Sequence, residues 1–191
     1  MSEIKTKYGH VGSWAVWREK SRKEKSNVGD LTIFENFISN PNIVFVGLNI
    51  SKKITEPYGN FHSTSPKAHD YKIRYALNDT QFTGAYMTDI IKDFEEKVSG
   101  NVVKYLKNNP LFLQENLDEF EKELQFIGSN DPVIIAFGND CYKILKRLKK
   151  YKIYKVSHYS SRISKEMLRE QVLKIESTLV AMTTVGNTVN T

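Results

Sequence analysis

Cysteine is nearly absent from the sequence, and this scarcity restricts the chemistry that the protein can use. The single thiol, Cys141, excludes an intrachain disulfide framework, a cysteine-ligated zinc site and an iron–sulfur cluster within one chain. Proline and glycine are also few, at 5 and 10 of 191 residues, and no linker, repeat or low-complexity block divides the chain. We therefore expect one domain over residues 1–182, followed by a polar tail at 183–191 that frays.

Long apolar runs are missing as well. No stretch approaches the ~20 consecutive apolar residues of a membrane-spanning helix, and residues 1–7 lack the apolar region of a signal peptide. Apolar residues still make up 40% of the chain and charged residues 26%, a composition that can form a packed core. The expectation is a soluble, cytoplasmic protein without a membrane partner.

The charge of the chain is moderately positive. Lys and Arg number 28 against 22 Asp and Glu, and basic residues concentrate at residues 18–25 and 143–155. This excess favours a polyanionic partner such as DNA, whose backbone Lys146 and Arg147 would contact. The alternative interpretation is that each basic segment is the solvated face of a helix.

The apolar pattern predicts strands alternating with helices. The predicted strands are four short apolar runs bounded by turn residues, at residues 42–46, 84–88, 132–137 and 153–157. The predicted helices are residues 31–38, 65–77, 110–126, 139–148 and 164–179. Ser65 is the expected cap of the second of these helices, and Asn139 or Asp140 that of the fourth. The expected fold class is α/β, with right-handed crossovers, a parallel sheet and helices on both of its faces.

Polar side chains follow each predicted strand. Asn49 comes after the first strand, Asp89 after the second, Asn139 after the third and His158 after the fourth. Ligands of open α/β sheets bind beyond the carboxyl ends of the strands, so we expect these side chains to share one cleft. The alternatives are that Asn49 is a turn residue, that His158 is a partly buried structural histidine and that Asp89 pairs with Lys92.

The order and spacing of these motifs resemble the uracil-DNA glycosylase superfamily, and in particular its mismatch-specific uracil/thymine branch. The resemblance covers the chain from about residue 42 to residue 162. The segments that carry it are Gly-Leu-Asn-Ile-Ser at 47–51, Gly-Asn-Phe-His at 59–62, Asp-Tyr-Lys at 70–72, Thr-Asp-Ile-Ile-Lys at 88–92, the strand at 134–138 and His-Tyr-Ser at 158–160.

The resemblance implies a three-layer α/β/α fold around a four-stranded parallel sheet of strand order 2-1-3-4. It implies a monofunctional DNA glycosylase that flips a uracil-type or deaminated base into its pocket and cleaves the N-glycosidic bond without a cofactor. Asn49 would orient the attacking water, and His158 would donate a hydrogen bond to the departing base. Phe61 would stack on that base, with His62 as the alternative.

The remaining candidates of the site are expected to surround the base or to hold phosphates. The base-binding candidates are Gly47, Leu48 and Asp89, and the phosphate-binding candidates are Ser51, Ser160, Ser161 and Arg162. No metal ion is expected, because His62 and His69 have no further ligand at suitable spacing.

Three positions depart from the pattern of the superfamily. Ile50 and Tyr159 stand where proline is usual, and Asp89 stands where an asparagine often reads uracil. An ionised aspartate only accepts hydrogen bonds, so Asp89 would repel O4 of uracil. The alternative function is therefore a weak or inactive protein of this fold that binds nucleic acid, a nucleotide or a protein. A zinc deaminase and a Rossmann dinucleotide enzyme are excluded, because their motifs are missing.

Overall fold

The structure is a computed structural model that describes residues 2–17, 39–63, 65, 67–92 and 94–187. The helix predicted at 31–38 and the basic segment at 18–25 lie outside the described residues. The elements, in chain order, are α1 (Ser2–Tyr8), β1 (Ser13–Trp14), β2 (Asn40–Asn49), α2 (Tyr71–Leu77), β3 (Ala85–Ile91), α3 (Ser99–Asn108), α4 (Pro110–Phe126), β4 (Val133–Phe137), α5 (Asn139–Leu145), β5 (Lys152–Val156) and α6 (Lys165–Asn187).

The expected α/β class is confirmed, but the sheet differs from the prediction. The described residues form a five-stranded sheet in the order β1-β3-β2-β4-β5. β3, β2, β4 and β5 pair in parallel, whereas β1 runs antiparallel to β3. The prediction of four strands, all parallel, is therefore wrong in strand count and overall order. The reason is β1, a strand of two residues that is too short to show any period in the sequence.

Successive residues of a strand face opposite sides of the sheet, so β2 contributes to two hydrophobic clusters. Val44, Val46 and Leu48 pack in one cluster with residues of α3, α4 and α5. Ile43 and Phe45 pack in the other with residues of α2 and α6. Burial on both faces explains why β2 reads as a nearly continuous apolar run.

The bounds of several elements differ from the prediction. α4 begins at Pro110 and ends at Phe126, as predicted, and α6 continues to Asn187, into the segment that was expected to fray. α3 has no counterpart in the prediction, because only Val102 and Leu106 of its side chains are buried. Across the described residues, no helix combines the length and the apolar composition needed to cross a membrane.

α2 and α5 begin differently from the prediction. α2 begins at Tyr71 rather than near Ser65, and residues 65 and 67–69 are not helical. The carboxylate of Asp70, the residue before the helix, accepts a hydrogen bond from Ser63 N at 2.7 Å instead of capping a helix amide. α5 is capped by Gly138, at φ 87°, rather than by a side chain of the next two residues. Left-handed φ is a conformation that glycine adopts without the steric cost other residues incur.

Candidate functional site

A pocket of about 890 Å³ opens at the carboxyl ends of the parallel strands. Asn49 of β2, Asp89 of β3, Asn139 after β4 and His158 after β5 all line it. Asn49 and Asp89 lie within their strands rather than after them. The pairing of β2 with β3 continues past the predicted strand ends, where Gly47 pairs with Asp89 and Asn49 with Ile91. The four side chains expected to share a cleft are thus brought together.

The orientation of the Asn49 amide is fixed by three backbone carbonyls. Asn49 Nδ2 donates to Ile50 O at 2.8 Å, to Phe94 O at 2.8 Å and to Glu96 O at 2.9 Å. No described residue hydrogen-bonds Asn49 Oδ1, so this oxygen stays available as an acceptor at the pocket. An aspartate at this position would place an oxygen against the three carbonyls, which is a physical reason for the amide.

The loop after β5 determines which ring nitrogen of His158 carries the proton. Ser160 N donates to His158 Nδ1 at 3.2 Å, and the Ser160 hydroxyl lies 2.8 Å from the same nitrogen. A backbone N–H only donates, so Nδ1 accepts and the proton of the neutral ring is on Nε2. Burial lowers the pKa of His158 and favours that neutral ring. No other described residue bonds to Nε2, so His158 offers one N–H donor.

Tyr159 and Gly138 hold the imidazole in place. The Tyr159 ring stacks on the His158 ring at 4.5 Å between centroids and meets the Phe137 ring edge-on at 5.4 Å. A Cβ added to Gly138 would lie 3.3 Å from His158 Cβ, so the glycine allows β4 and the loop after β5 to approach closely. Tyr159, at a position where the resemblance led us to expect a proline, thus packs against His158 and supports it.

Asp89 lies at the buried end of the pocket and is 3% exposed. Its Oδ2 accepts a hydrogen bond from Asn60 Nδ2 at 2.7 Å. A Cβ added to Gly47 would lie 2.2 Å from Asp89 Oδ1, so only glycine at 47 leaves space for the carboxylate. Burial, partly offset by the Asn60 bond and by the charge of Lys92, raises the pKa of Asp89 to about 6. Gly47 thus contributes to the site by packing against the Asp89 carboxylate.

Lys92 does not pair with the Asp89 carboxylate. Its Nζ donates to the backbone oxygen of Asp89 and pairs with Glu123, which is fully buried. Glu123 also accepts from Tyr86 OH at 2.7 Å and from the Thr88 hydroxyl at 2.9 Å. This buried ion pair lies beneath the pocket, and among the described residues the Asp89 carboxylate has no direct cationic partner.

The aromatic candidates form one wall of the pocket. Phe61 is 4% exposed, has φ 62° and lies 6.0 Å from the Phe137 ring. Left-handed φ is strained for a bulky residue, and the bond from Phe61 N to Asn60 Oδ1 at 3.1 Å helps to hold it. His62 also lines the pocket, but its Nε2 lies 3.1 Å from Trp14 O, and burial lowers its pKa to about 4. Leu48 completes this part of the lining.

The phosphate-binding candidates separate into two groups. Ser51, Ser160 and Ser161 are exposed and line the pocket. Lys146 and Arg147 are exposed but do not line it, and neither does Arg162. Lys146 and Arg147 follow the carboxyl end of α5, whose amino end is at the pocket, and a helix of 7 residues is about 10 Å long.

Sequence reasoning missed several residues of the site. Lys52, Lys53 and Lys97 are exposed and line the pocket, with Glu56 and Glu96 among them. These residues come from two separate loops and include both signs of charge, so no run of basic residues in the sequence predicts a binding surface there. Asn60 was also missed as the partner of the buried carboxylate. Only its place within the resemblance motif at residues 59–62 pointed to it.

The described residues contain no group of three or more His, Cys, Asp or Glu side chains arranged to hold a metal ion. The thiol of Cys141 lies at the pocket, but it is buried and donates to Val46 O and Gly47 O, both at 3.3 Å. Burial raises the pKa of this thiol, so it is a poor nucleophile.

Comparisons of the chain with protein-family models, with curated proteins and with solved structures found no match. A function for the chain therefore has to be inferred from its own residues.

Proposed function

We propose that the protein hydrolyses the N-glycosidic bond of a base flipped out of DNA, as the resemblance to the uracil-DNA glycosylase superfamily implies. One observation carries this proposal. Asn49 and His158, far apart in the sequence, line the same pocket, and each keeps one polar atom free of described partners. The proposal includes a three-layer α/β/α arrangement, which the two hydrophobic clusters support.

His158 would act on the departing base. Cleavage of the glycosidic bond leaves negative charge on the base, and the Nε2–H of a neutral imidazole donates a hydrogen bond to it. Because Ser160 already occupies Nδ1, the ring does not need to change tautomer during the reaction. Such a preorganised donor contributes about 3 kcal/mol to the transition state, or roughly a hundredfold in rate.

Asn49 would orient the water that attacks the sugar. An amide is not a general base, but its Oδ1 accepts a hydrogen bond from water and directs the water lone pair. The three carbonyls on Nδ2 prevent the amide from rotating. Orientation alone serves a sugar that is already cationic, and the expected rate is lower than with a carboxylate at this position.

The rest of the pocket suits a flipped nucleotide. The volume of about 890 Å³ is in the range of pockets that bind small molecules and cofactors. Phe61 in the wall is available for contact with a base, and the exposed Lys52, Lys53 and Lys97 are available for the flanking phosphates.

The test is incubation with oligonucleotides that carry uracil, a thymine mismatch, hypoxanthine, xanthine or cytosine, followed by alkaline cleavage of the abasic sites. His158→Ala should lower the rate of base release about a hundredfold, and Asn49→Ala should abolish release. The matched controls are His10→Ala and Asn130→Ala, which change exposed residues that do not line the pocket. Thermal unfolding of each variant separates lost activity from lost folding.

Unchanged turnover in both pocket variants would contradict the proposal. Tight binding of the oligonucleotides without release of any base would instead favour a protein of this fold that only binds nucleic acid.

A further inference from the structure

The buried end of the pocket presents one acceptor atom that no described residue uses. Asp89 is 3% exposed and lines the pocket, and its Oδ2 accepts from Asn60 Nδ2 at 2.7 Å. Its Oδ1 has no hydrogen-bond partner in the described part of the chain. An ionised carboxylate oxygen only accepts hydrogen bonds, so Oδ1 is available to a donor group of a ligand.

Asn60 cannot turn to offer Asp89 a different atom. Its Nδ2 donates both to Asp89 and to Val11 O, at 2.8 Å, and its Oδ1 accepts from Phe61 N at 3.1 Å. Flipping the amide would put an oxygen against two acceptors. Gly47 packs against Oδ1, where a Cβ would lie 2.2 Å away, so Oδ1 is reached only over a residue without a side chain. Oδ2 is therefore the oxygen paired with Asn60, and Oδ1 is the oxygen of this pocket-lining residue that is left for a ligand.

The charged and titratable groups around Asp89 leave its carboxylate as an acceptor. Lys92, which pairs with Glu123, and the Cys141 thiol and the Tyr159 hydroxyl all interact with the Asp89 charge. Burial raises the pKa values of Cys141 and Tyr159, so both stay neutral. With its own pKa at about 6, Asp89 is mostly ionised at pH 7.5.

We propose that Asp89 is a specificity-determining residue that selects a base with an exocyclic amino group, such as cytosine, over uracil-type bases; this inference rests on the proposed function. An amino group projects from the ring and donates to Oδ1, as aspartate accepts from cytosine N4 in other recognition contexts. In uracil attached to a sugar, the only ring N–H is N3–H, which lies between two carbonyl oxygens. A carboxylate that accepts from it is brought close to both oxygens and repels them.

The test compares cytosine with uracil, which differ at position 4 by an amino group against a carbonyl oxygen. Deoxycytidine and deoxyuridine, in which N1 is bonded to the sugar, are titrated into the protein at pH 7.5 and followed by NMR, and release of each base from matched oligonucleotides is measured in parallel. The variants are Asp89→Asn, which restores a donor, and the control Asp118→Asn, at an exposed carboxylate of α4. The protein should favour cytosine by about tenfold, Asp89→Asn should favour uracil, and Asp118→Asn should behave as the unchanged protein.

The outcomes separate this inference from the proposed function. Base release without a preference that depends on position 89 would overturn the role of Asp89 and leave the hydrolase proposal standing. A binding preference that reverses in Asp89→Asn, without release of either base, would support Asp89 and overturn the hydrolase. Equal binding of the two nucleosides, or no binding of either, would overturn the role of Asp89 whatever the release assay shows.

Discussion

Replacing Asp89 by asparagine should make the protein more stable at neutral pH. The carboxyl group is buried, and its pKa is raised from 3.8 to about 6 because burial disfavours the charged form. Each pKa unit corresponds to about 1.4 kcal/mol, so ionised Asp89 lowers the free energy of unfolding by about 3 kcal/mol above pH 6. Asparagine has nearly the same shape, carries no charge and keeps an oxygen for Asn60 Nδ2.

The sign of the pH dependence follows from proton binding. Between about pH 4 and pH 6 the folded protein holds the Asp89 proton more tightly than the unfolded chain does, so this group makes stability fall as pH rises. Asparagine does not titrate. The stability difference between variant and unchanged protein should therefore be small near pH 4, grow with pH and level off near 3 kcal/mol above about pH 6.5.

The assay is urea unfolding of both proteins at pH 4, 5, 6 and 7.5, with Asp118→Asn as the control for loss of an exposed carboxylate. Other groups that titrate in this range act equally in both proteins and cancel in the difference. A variant that is less stable at pH 7.5, or a difference that does not change with pH, would refute the reasoning about the buried charge.

Three further changes test other parts of the structure. Gly47→Ala should destabilise the protein by about 1–3 kcal/mol, because the added Cβ would lie 2.2 Å from Asp89 Oδ1, and the loss measured by urea unfolding should shrink when Asp89→Ala is combined with it. Burial lowers the pKa of His62 from 6.5 to about 4, so the protein should lose about 3 kcal/mol of stability between pH 6.5 and pH 4. His62→Gln should abolish this loss, and thermal unfolding that shows the same loss between pH 6.5 and pH 4 in the variant would contradict the prediction. Glu123→Gln should cost about 3–5 kcal/mol in urea unfolding, because Lys92 would lose its buried partner, and a near-neutral result would mean that the pair contributes little.

The elements that could be predicted from the sequence are those with a strong apolar period. β2 and β4 are buried on both faces, and α4 alternates inward leucines with carboxylates, so their residues carry the pattern themselves. β1 and α3 could not be predicted in this way. The two residues of β1 form a strand because they pair with the edge of β3, and that edge exists only once the sheet has assembled.

In the candidate site, too, the sequence predicts some features and not others. The positions of Asn49 and His158 follow from where the strands end, which sequence patterns indicate. The state of each side chain does not. The tautomer of His158 depends on Ser160 N, and the rotamer of Asn49 depends on carbonyls of a loop beyond β3, including Phe94 O. Such contacts follow from loop geometry, for which no residue pattern is specific.

The charge at position 89 is the feature that stability alone does not explain. Asparagine there would keep the bond to Asn60 and the fit against Gly47, and it would avoid a penalty of about 3 kcal/mol at neutral pH. The Asp89 carboxylate lowers the stability of the fold, although asparagine has nearly the same shape and would not. Such a destabilising charged residue is typical of functional sites, where stability is commonly lost in return for reactivity or recognition. Under the proposed role of Asp89, a donor group of the ligand would bind Oδ1, and that would give the buried carboxylate a function that asparagine could not supply.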